Sequence, residues 1–385
     1  MLTSIVIPSG VTSIGDRAFA NCSSLTGIEI PSSMTSIGDD AFSYCTSLTS
    51  VTFGENSQLT SIGDNAFCYC NALTSIVIPS SVTSIGNGAF WGCSSLESMT
   101  LPFVGNRSGV TASDFNQYPL GYIFGEYEYA GGTIVTQNYY LDSLQTTTAT
   151  NYCIPSSLTT IKILGGAILR GGLQNCTMLQ TISLEDEVTM VAVNAVRNCT
   201  NLTSVYIGEK VSAIGYGGGY AFAGCTALSS VTFSENSVLT NFTGGHNFAN
   251  CPIVSIEIPA GITNLSANNF EQCKKLTTVI FRSSNNLTII GVAAFTGCEL
   301  LSTINIPLSL TTISNYAFSN CSALPSIILP SSLTTIGNSA FLNCSNLITI
   351  NFMGTESQWN AISKGTSWDS GMPANYTVVY NYSPS

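Results

Sequence analysis

The sequence predicts an α/β solenoid: stacked short coils with a parallel sheet on one face, and short strands and helical turns on the other. Three observations predict it. A phrase recurs as IGDRAFANC ending at Cys22, IGDDAFSYC at Cys45, IGDNAFCYC at Cys70, IGNGAFWGC at Cys93, ISNYAFSNC at Cys321 and IGNSAFLNC at Cys344. The steps from Cys22 to Cys45, Cys298 to Cys321 and Cys321 to Cys344 are each 23 residues. After each cysteine come Leu and then I-x-I or V-x-F, as in Leu25, Ile28, Ile30 and Leu301, Ile304, Ile306. One such unit cannot bury its own apolar side, so neighbouring coils must bury it between them.

Each element follows from this phrase. L-x-x-I-x-I is a short strand whose Leu and Ile residues point inward while those between point out. A proline or turn follows, then an apolar pair such as Val82 and Ile85. The Ala-Phe segment reads as one helical turn, and the cysteine closes the coil. Strands begin at Leu2, Leu25 and so on to Leu347, giving about fourteen coils. At about 4.8 Å per strand the stack should be on the order of 65 Å long. Gly54–Gln58, Ser234–Val238 and Gly217–Gly219 lengthen single turns.

Twelve of the fourteen cysteines share one coil position. In-register stacking makes their Cα–Cβ vectors parallel, which gives poor disulfide torsions, so a buried column of reduced thiols is expected. Cys68 and Cys153 fall outside it, with Cys68 expected to be partly exposed. The column has no C-x-x-C and no His partner, so no metal or cofactor is expected. His246 reads as a loop histidine, and Asp39-Asp40 and Glu185-Asp186-Glu187 as solvated charge.

The L-x-x-I-x-I-P…V-x-x-I-G-x-x-A-F-x-x-C unit, over residues 2–101 and 158–352, resembles the BspA-like, treponemal-type class of leucine-rich repeats. The tail from Gly354, GTESQWNAI, resembles the segment that ends arrays of that family. The domain reading is coils 1–5 over 1–101, an aromatic-rich insertion over 102–157, coils 6–14 over 158–353 and a capping segment over 354–385. The resemblance implies an extracellular or cell-surface protein, adhesin-like, contacting a host protein or glycan.

The insertion breaks the period and gathers Phe103, Phe115, Tyr118, Tyr122, Phe124, Tyr127, Tyr129, Tyr139, Tyr140 and Tyr152. It reads as an inserted subdomain, with Tyr122-Ile123-Phe124 as a strand between glycines and Gln145–Asn151 as linker. Tyrosine offers large rigid contact area with a polar handle, so Tyr127 and Tyr129 are the first candidate ligand contacts. Tyr122 and Phe124 are expected to dock the insertion. The outward strand positions are mostly Ser and Thr, which suit any pleated surface. Tyr206 and Glu257 are the second candidates there.

Composition excludes several functions. Ten Lys and Arg against 21 Asp and Glu give a net charge of −11, which opposes nucleic-acid binding. No apolar run reaches the roughly 18 residues of a membrane span. Met1-Leu2-Thr3-Ser4 carries no basic stretch or cleavage site, so no signal peptide is read there. With one His, no G-x-S-x-G and no phosphate loop, catalysis is not expected. Non-catalytic binding is the preferred role. A structural spacer presenting a further domain, or an enzyme with its site in the insertion, are the alternatives. Leu2, Ile5, Ile7, Val11, Ile14 and Phe19 form an apolar first coil expected to fray, to pair with another copy or to be covered by upstream residues of a parent chain.

Overall fold

The computed structural model describes residues 2–109, 118–140 and 147–384. The chain forms two compact units, Met1–Thr189 with Cys199–Leu202, and Met190–Asn198 with Thr203–Ser385. Each is a parallel β-solenoid. In the first, strand Gly27–Ile30 pairs with Ser50–Phe53, and Ser75–Val77 with Ser98–Leu101, register moving one coil per strand. A second ladder joins the two-residue strands Ser13–Ile14, Ser36–Ile37, Ser61–Ile62 and Ser84–Ile85. The second unit repeats the plan. Ser255–Ile258, Thr278–Phe281 and Thr303–Asn305 pair in sequence, as do Ser326–Leu329, Thr349–Phe352 and Thr377–Val379.

The expected helical turns are absent from the backs of the coils. Among the described residues, helix is confined to the 3-10 turn Leu120–Phe124 and the six-residue helix Glu356–Ala361. In the Ala-Phe segment, alternate N–H groups bond to the next coil. Arg17, Phe19 and Asn21 donate to the carbonyls of Asp39, Ala41 and Ser43 at 2.9, 2.8 and 2.7 Å. The residues between donate back three positions, as Ala20 does to Arg17 at 3.0 Å. Two left-handed residues per coil produce this alternation, Arg17 and Asn21 at φ 57° and 62° and Asn65 and Tyr69 at 53° and 55°. A right-handed helix admits neither. The back of the coil is therefore a third ladder.

The I-G-[DN] motif has a structural cause. Asp39 Oδ1 accepts the N–H of Asp64 at 2.8 Å, and Asp64 Oδ1 that of Asn87 at 2.6 Å. A Cβ on Gly63 would fall 2.5 Å from Asp39 Oδ1, so glycine is needed there. Asn315 and Asn338 serve the same way in the second unit. Asp39 is thus an anchor between coils as well as a surface charge.

Two columns fill the interior. Phe19, Phe42, Phe67 and Phe90 stack at 5.3–5.5 Å, and so do Phe248, Phe270, Phe295, Phe318 and Phe341. Beside them every cysteine is a free thiol. The Cys93 thiol donates to Phe67 O at 3.1 Å, and that of Cys321 to Phe295 O at 3.3 Å, two coils' interiors thereby tied by sulfur. Cys68 is buried rather than exposed, at 3%. The residue after the column Phe is tucked under in other coils as well, as Ser43 and Ser319 show. Burial pushes the Cys68 thiol up to about 12.

The insertion belongs to the first unit and is woven into it. Ser98–Leu101 pairs directly with Thr160–Ile168, so the strand face continues across the interruption. On the back, Tyr122 O and Ile123 O accept Gly88 N and Phe90 N at 3.0 and 2.8 Å, where a following coil would do so. Leu120–Phe124 is a 3-10 turn and not a strand, bounded by Pro119 and by Gly125 at φ 79°. Phe124 is buried and Tyr122 half-buried, as expected of docking residues. Gly132–Tyr140 and Thr147–Pro155 form an antiparallel hairpin, so the part of Gln145–Asn151 within the described residues is strand rather than linker. Phe115 lies outside the described residues. Buried Gln137 ties these parts together, accepting from Gly121 N at 2.8 Å and donating to Gln174 O at 3.0 Å. In the tail, Trp359 packs on Phe352 and Trp368 at 5.3 and 6.0 Å, and Thr377–Val379 adds a strand. In the first coil Leu2 and Val6 are exposed at 39% and 89%.

Candidate functional site

The site grows from the second left-handed position of the back turn, the residue before the column cysteine. Asn fills it at Asn21, Asn175, Asn198, Asn250, Asn320 and Asn343, Gly at Gly92, Gly224 and Gly297, and Gln at Gln272, all with positive φ. Asn and Gly accept this conformation at small cost. Tyr44 and Tyr69 occupy it at φ 59° and 55°. A bulky residue held there costs about 1–3 kcal/mol, and such outliers cluster at functional sites.

The two rings do not serve the core. They lie outside it and stack on each other, centroids 4.9 Å apart and planes 11° from parallel. Trp91 meets Tyr69 edge-on at 5.0 Å, and Tyr127 continues the row at 5.9 Å from Trp91. Trp91 Nε1 donates to Tyr127 O at 2.9 Å, which fixes the insertion's end of the row. A Cβ at Gly92 would fall 2.8 Å from the Tyr69 ring, so glycine makes room for it. Exposure rises along the row's ends, to 45% at Tyr44 and 75% at Tyr127. Burial, then the neighbouring Tyr44 hydroxyl, pushes the Tyr69 phenol up, which keeps it a neutral hydrogen-bond donor.

The four residues singled out from sequence are dispersed. Tyr127 joins the row. Tyr129 does not, because its hydroxyl is buried with no hydrogen-bond partner, and burial pushes that phenol up. Tyr206 and Glu257 lie in the second unit. Tyr206 is half-buried and level with Thr232. The Glu257 carboxylate is 3.3 Å from Arg282 Nε. Tyr44, Tyr69 and Trp91 were missed by sequence reasoning, although the signal was present: Y-C replaces N-C at Cys45 and Cys70. His246 stacks on Tyr220 at 4.7 Å, with Nδ1 3.1 Å from Glu271. No group of three or more His, Cys, Asp or Glu that could hold a metal occurs among the described residues, and none of their helices is long and apolar enough to cross a membrane.

Coil, ladders and column define a leucine-rich-repeat protein. The BspA type leucine rich repeat model matches residues 1–111, 144–277 and 270–366, in six copies, and the chain belongs to that family. A comparison with curated proteins finds no significant match. Among solved structures, a leucine rich cell surface protein from Faecalibacterium prausnitzii A2-165 is 26% identical, over 94% of this chain and 89% of its own, at a TM-score of 0.35. A leucine-rich repeat protein from Bacteroides ovatus ATCC 8483 is 22% identical, over 96% and 87%, at 0.45. Another from Eubacterium ventriosum ATCC 27560 is 24% identical, over 89% and 82%, at 0.32.

Proposed function

We propose that the chain is a non-catalytic binding module of an extracellular or cell-surface protein, and that it contacts a host protein through the row Tyr44–Tyr69–Trp91–Tyr127. Membership of the BspA-type family supports the surface setting and the absence of catalysis. One observation carries the site: two tyrosines are held left-handed where other coils use Asn, Gln or Gly. Exposed aromatic rings with polar hydroxyls are the residue type enriched at protein interfaces, which favours a protein partner. Tyr129, whose hydroxyl is buried, is left out of the contact row. Tyr206 and Glu257 form the second surface to test.

The experiment is adhesion of the chain to immobilised extracellular-matrix proteins and to a glycan array. Tyr69→Asn with Tyr127→Ala should weaken binding at least tenfold, with the melting temperature held within a few degrees. Binding unchanged by this pair but lost on Tyr206→Ala would move the site to the second unit. Binding confined to the glycan array would replace the protein partner with a saccharide.

A further inference from the structure

The turn V-T-F-x-E-N-S occurs twice, as Val51–Ser57 in the first unit and Val231–Ser237 in the second. The two copies are anchored alike. Gly54 N and Ser234 N donate to Ile30 O and Ile207 O, both at 2.9 Å, and Gln58 N and Val238 N to Ser32 O and Glu209 O, both at 3.0 Å. Ser57 Oγ and Ser237 Oγ each accept a backbone N–H two residues on, at 3.3 Å. They differ at Asn56, which is left-handed at φ 55° where Asn236 is not. At both copies the strand ladder is interrupted. Ser50–Phe53 pairs with the strand before it and not with Ser75–Val77, and Ser230–Phe233 is likewise unpaired with Ser255–Ile258.

In the second unit an arginine spans the break. Arg282, whose side chain is 15% exposed, donates from Nη2 to Phe233 O at 3.0 Å and from Nη1 to Ser234 O and Glu235 O at 2.6 and 3.2 Å. Its Nε faces Glu257 at 3.3 Å. In the first unit Pro102 stands where Arg282 would, one residue past Ser98–Leu101, and Val77 stands where Glu257 would. The break there is an open groove of about 640 Å³ lined by Phe53, Gly54, Val77 and Ser81 among others. Among the described residues no protein donor reaches the carbonyls of Phe53, Gly54 or Glu55. Ser81 Oγ is buried in the wall with no partner, whereas the matching Ser309 and Ser332 donate to carbonyls of the preceding coil.

We propose that this groove is a guanidinium site, and that it takes the arginine side chain of a peptide segment from a partner protein, seated on the turn as Arg282 is seated on its copy. On the second-unit turn one planar fork of N–H donors, which arginine has and lysine lacks, meets three carbonyls, and of the matching first-unit residues Phe53 and Gly54 line the groove. The charge of −11 favours a cationic guest. This site is separate from the aromatic row and does not rest on its assignment.

The test is an NMR titration of the full chain with the probe acetyl-Gly-Arg-Gly-amide and its Lys and citrulline counterparts. The arginine probe should give saturable shifts at Thr52–Ser57 and Ser75–Ser81, with the lysine probe at least fivefold weaker and citrulline weaker still. Val77→Glu, which restores the missing carboxylate, should tighten the arginine probe about tenfold. Pro102→Arg should abolish binding by filling the groove from within. Arg282→Ala should expose a second saturable site at Phe233–Glu235. Trp91→Ala should leave the titration unchanged, which separates failure here from failure of the aromatic row. Equal affinity for the arginine and lysine probes, shifts located elsewhere, or no gain from Val77→Glu would each overturn the proposal, whether or not Pro102→Arg folds.

Discussion

The two units have the same kind of interior and differ at the surface, among other places in the residue before the column cysteine. Both stack phenylalanines about one strand spacing apart and hang thiols on the carbonyls of the coil before. At the left-handed position before the cysteine, the first unit places Tyr44 and Tyr69 and the second places Asn250, Gln272, Asn320 and Asn343. There the amides bond to each other, Asn343 Nδ2 donating to Asn320 Oδ1 at 3.0 Å. The second unit moves its aromatics to the other left-handed position, where Tyr220 stacks on His246 beneath Arg197. The interior therefore obeys the repeat, and the turn is where individual coils are free to diverge.

The largest effects should test what the units share. Burial raises the thiols of Cys45 to about 11 and of Cys176 and Cys344 to about 12, and lifts Cys70, Cys273, Cys298 and Cys321 well above the ordinary 9.0. The folded state keeps protons that the unfolded state releases above pH 9. Stability is therefore full below that pH and falls as pH rises toward 11–12, by about 1.4 kcal/mol per pH unit for each thiol titrating only in the unfolded chain. Circular dichroism should report alkaline unfolding in that window, and hydrogen exchange should show both units failing. Native signal persisting above pH 12 would break the assignment of a buried thiol column. Next in size, Phe67→Ala and Phe295→Ala each remove a ring stacked on both sides. Each should cost about 3–5 kcal/mol. Exchange should accelerate in the mutated unit by matching amounts, and a much smaller cost in one unit would show that its column packs differently.

Much of the fold was legible because stacking imposes a period. Leu25, Ile28 and Ile30 recur, so the strand face and its inward residues could be read directly. The back turn was misread as helical because A-F in a short apolar phrase gives no local sign of handedness. The sign lay in the Asn and Gly before most of the column cysteines, which mark left-handed backbone, and it is visible only when coils are aligned. The insertion was legible as a break and illegible in shape, since Tyr122 and Ile123 take a following coil's place against Gly88 and Phe90 without carrying the repeat phrase, and the bond from Leu120 N to Gly172 O has no periodic counterpart. Of the site, Tyr127 stood out by composition. Tyr44, Tyr69 and Trp91 were hidden inside copies of the repeat, among residues that serve packing.

The smallest effect is the most discriminating. If Tyr44 is retained for binding and not for the fold, returning its position to the residue used elsewhere should relieve strain. Tyr44→Asn loses one ring contact at the row's exposed end, worth about 0.5–1.5 kcal/mol, and removes a left-handed tyrosine that costs about 1–3 kcal/mol. The first unit should gain up to about 2 kcal/mol, read as slower exchange of amides in residues 36–70. The reverse change in the second unit, Asn320→Tyr, adds the strain and loses the Asn343 bond, so it should cost at least about 1 kcal/mol. A stabilised Tyr44→Asn variant that also adheres less would follow from a trade of stability for function. Should Tyr44→Asn instead destabilise by more than about 1 kcal/mol, the tyrosine stack would be structural, and the difference between the units would be one of packing.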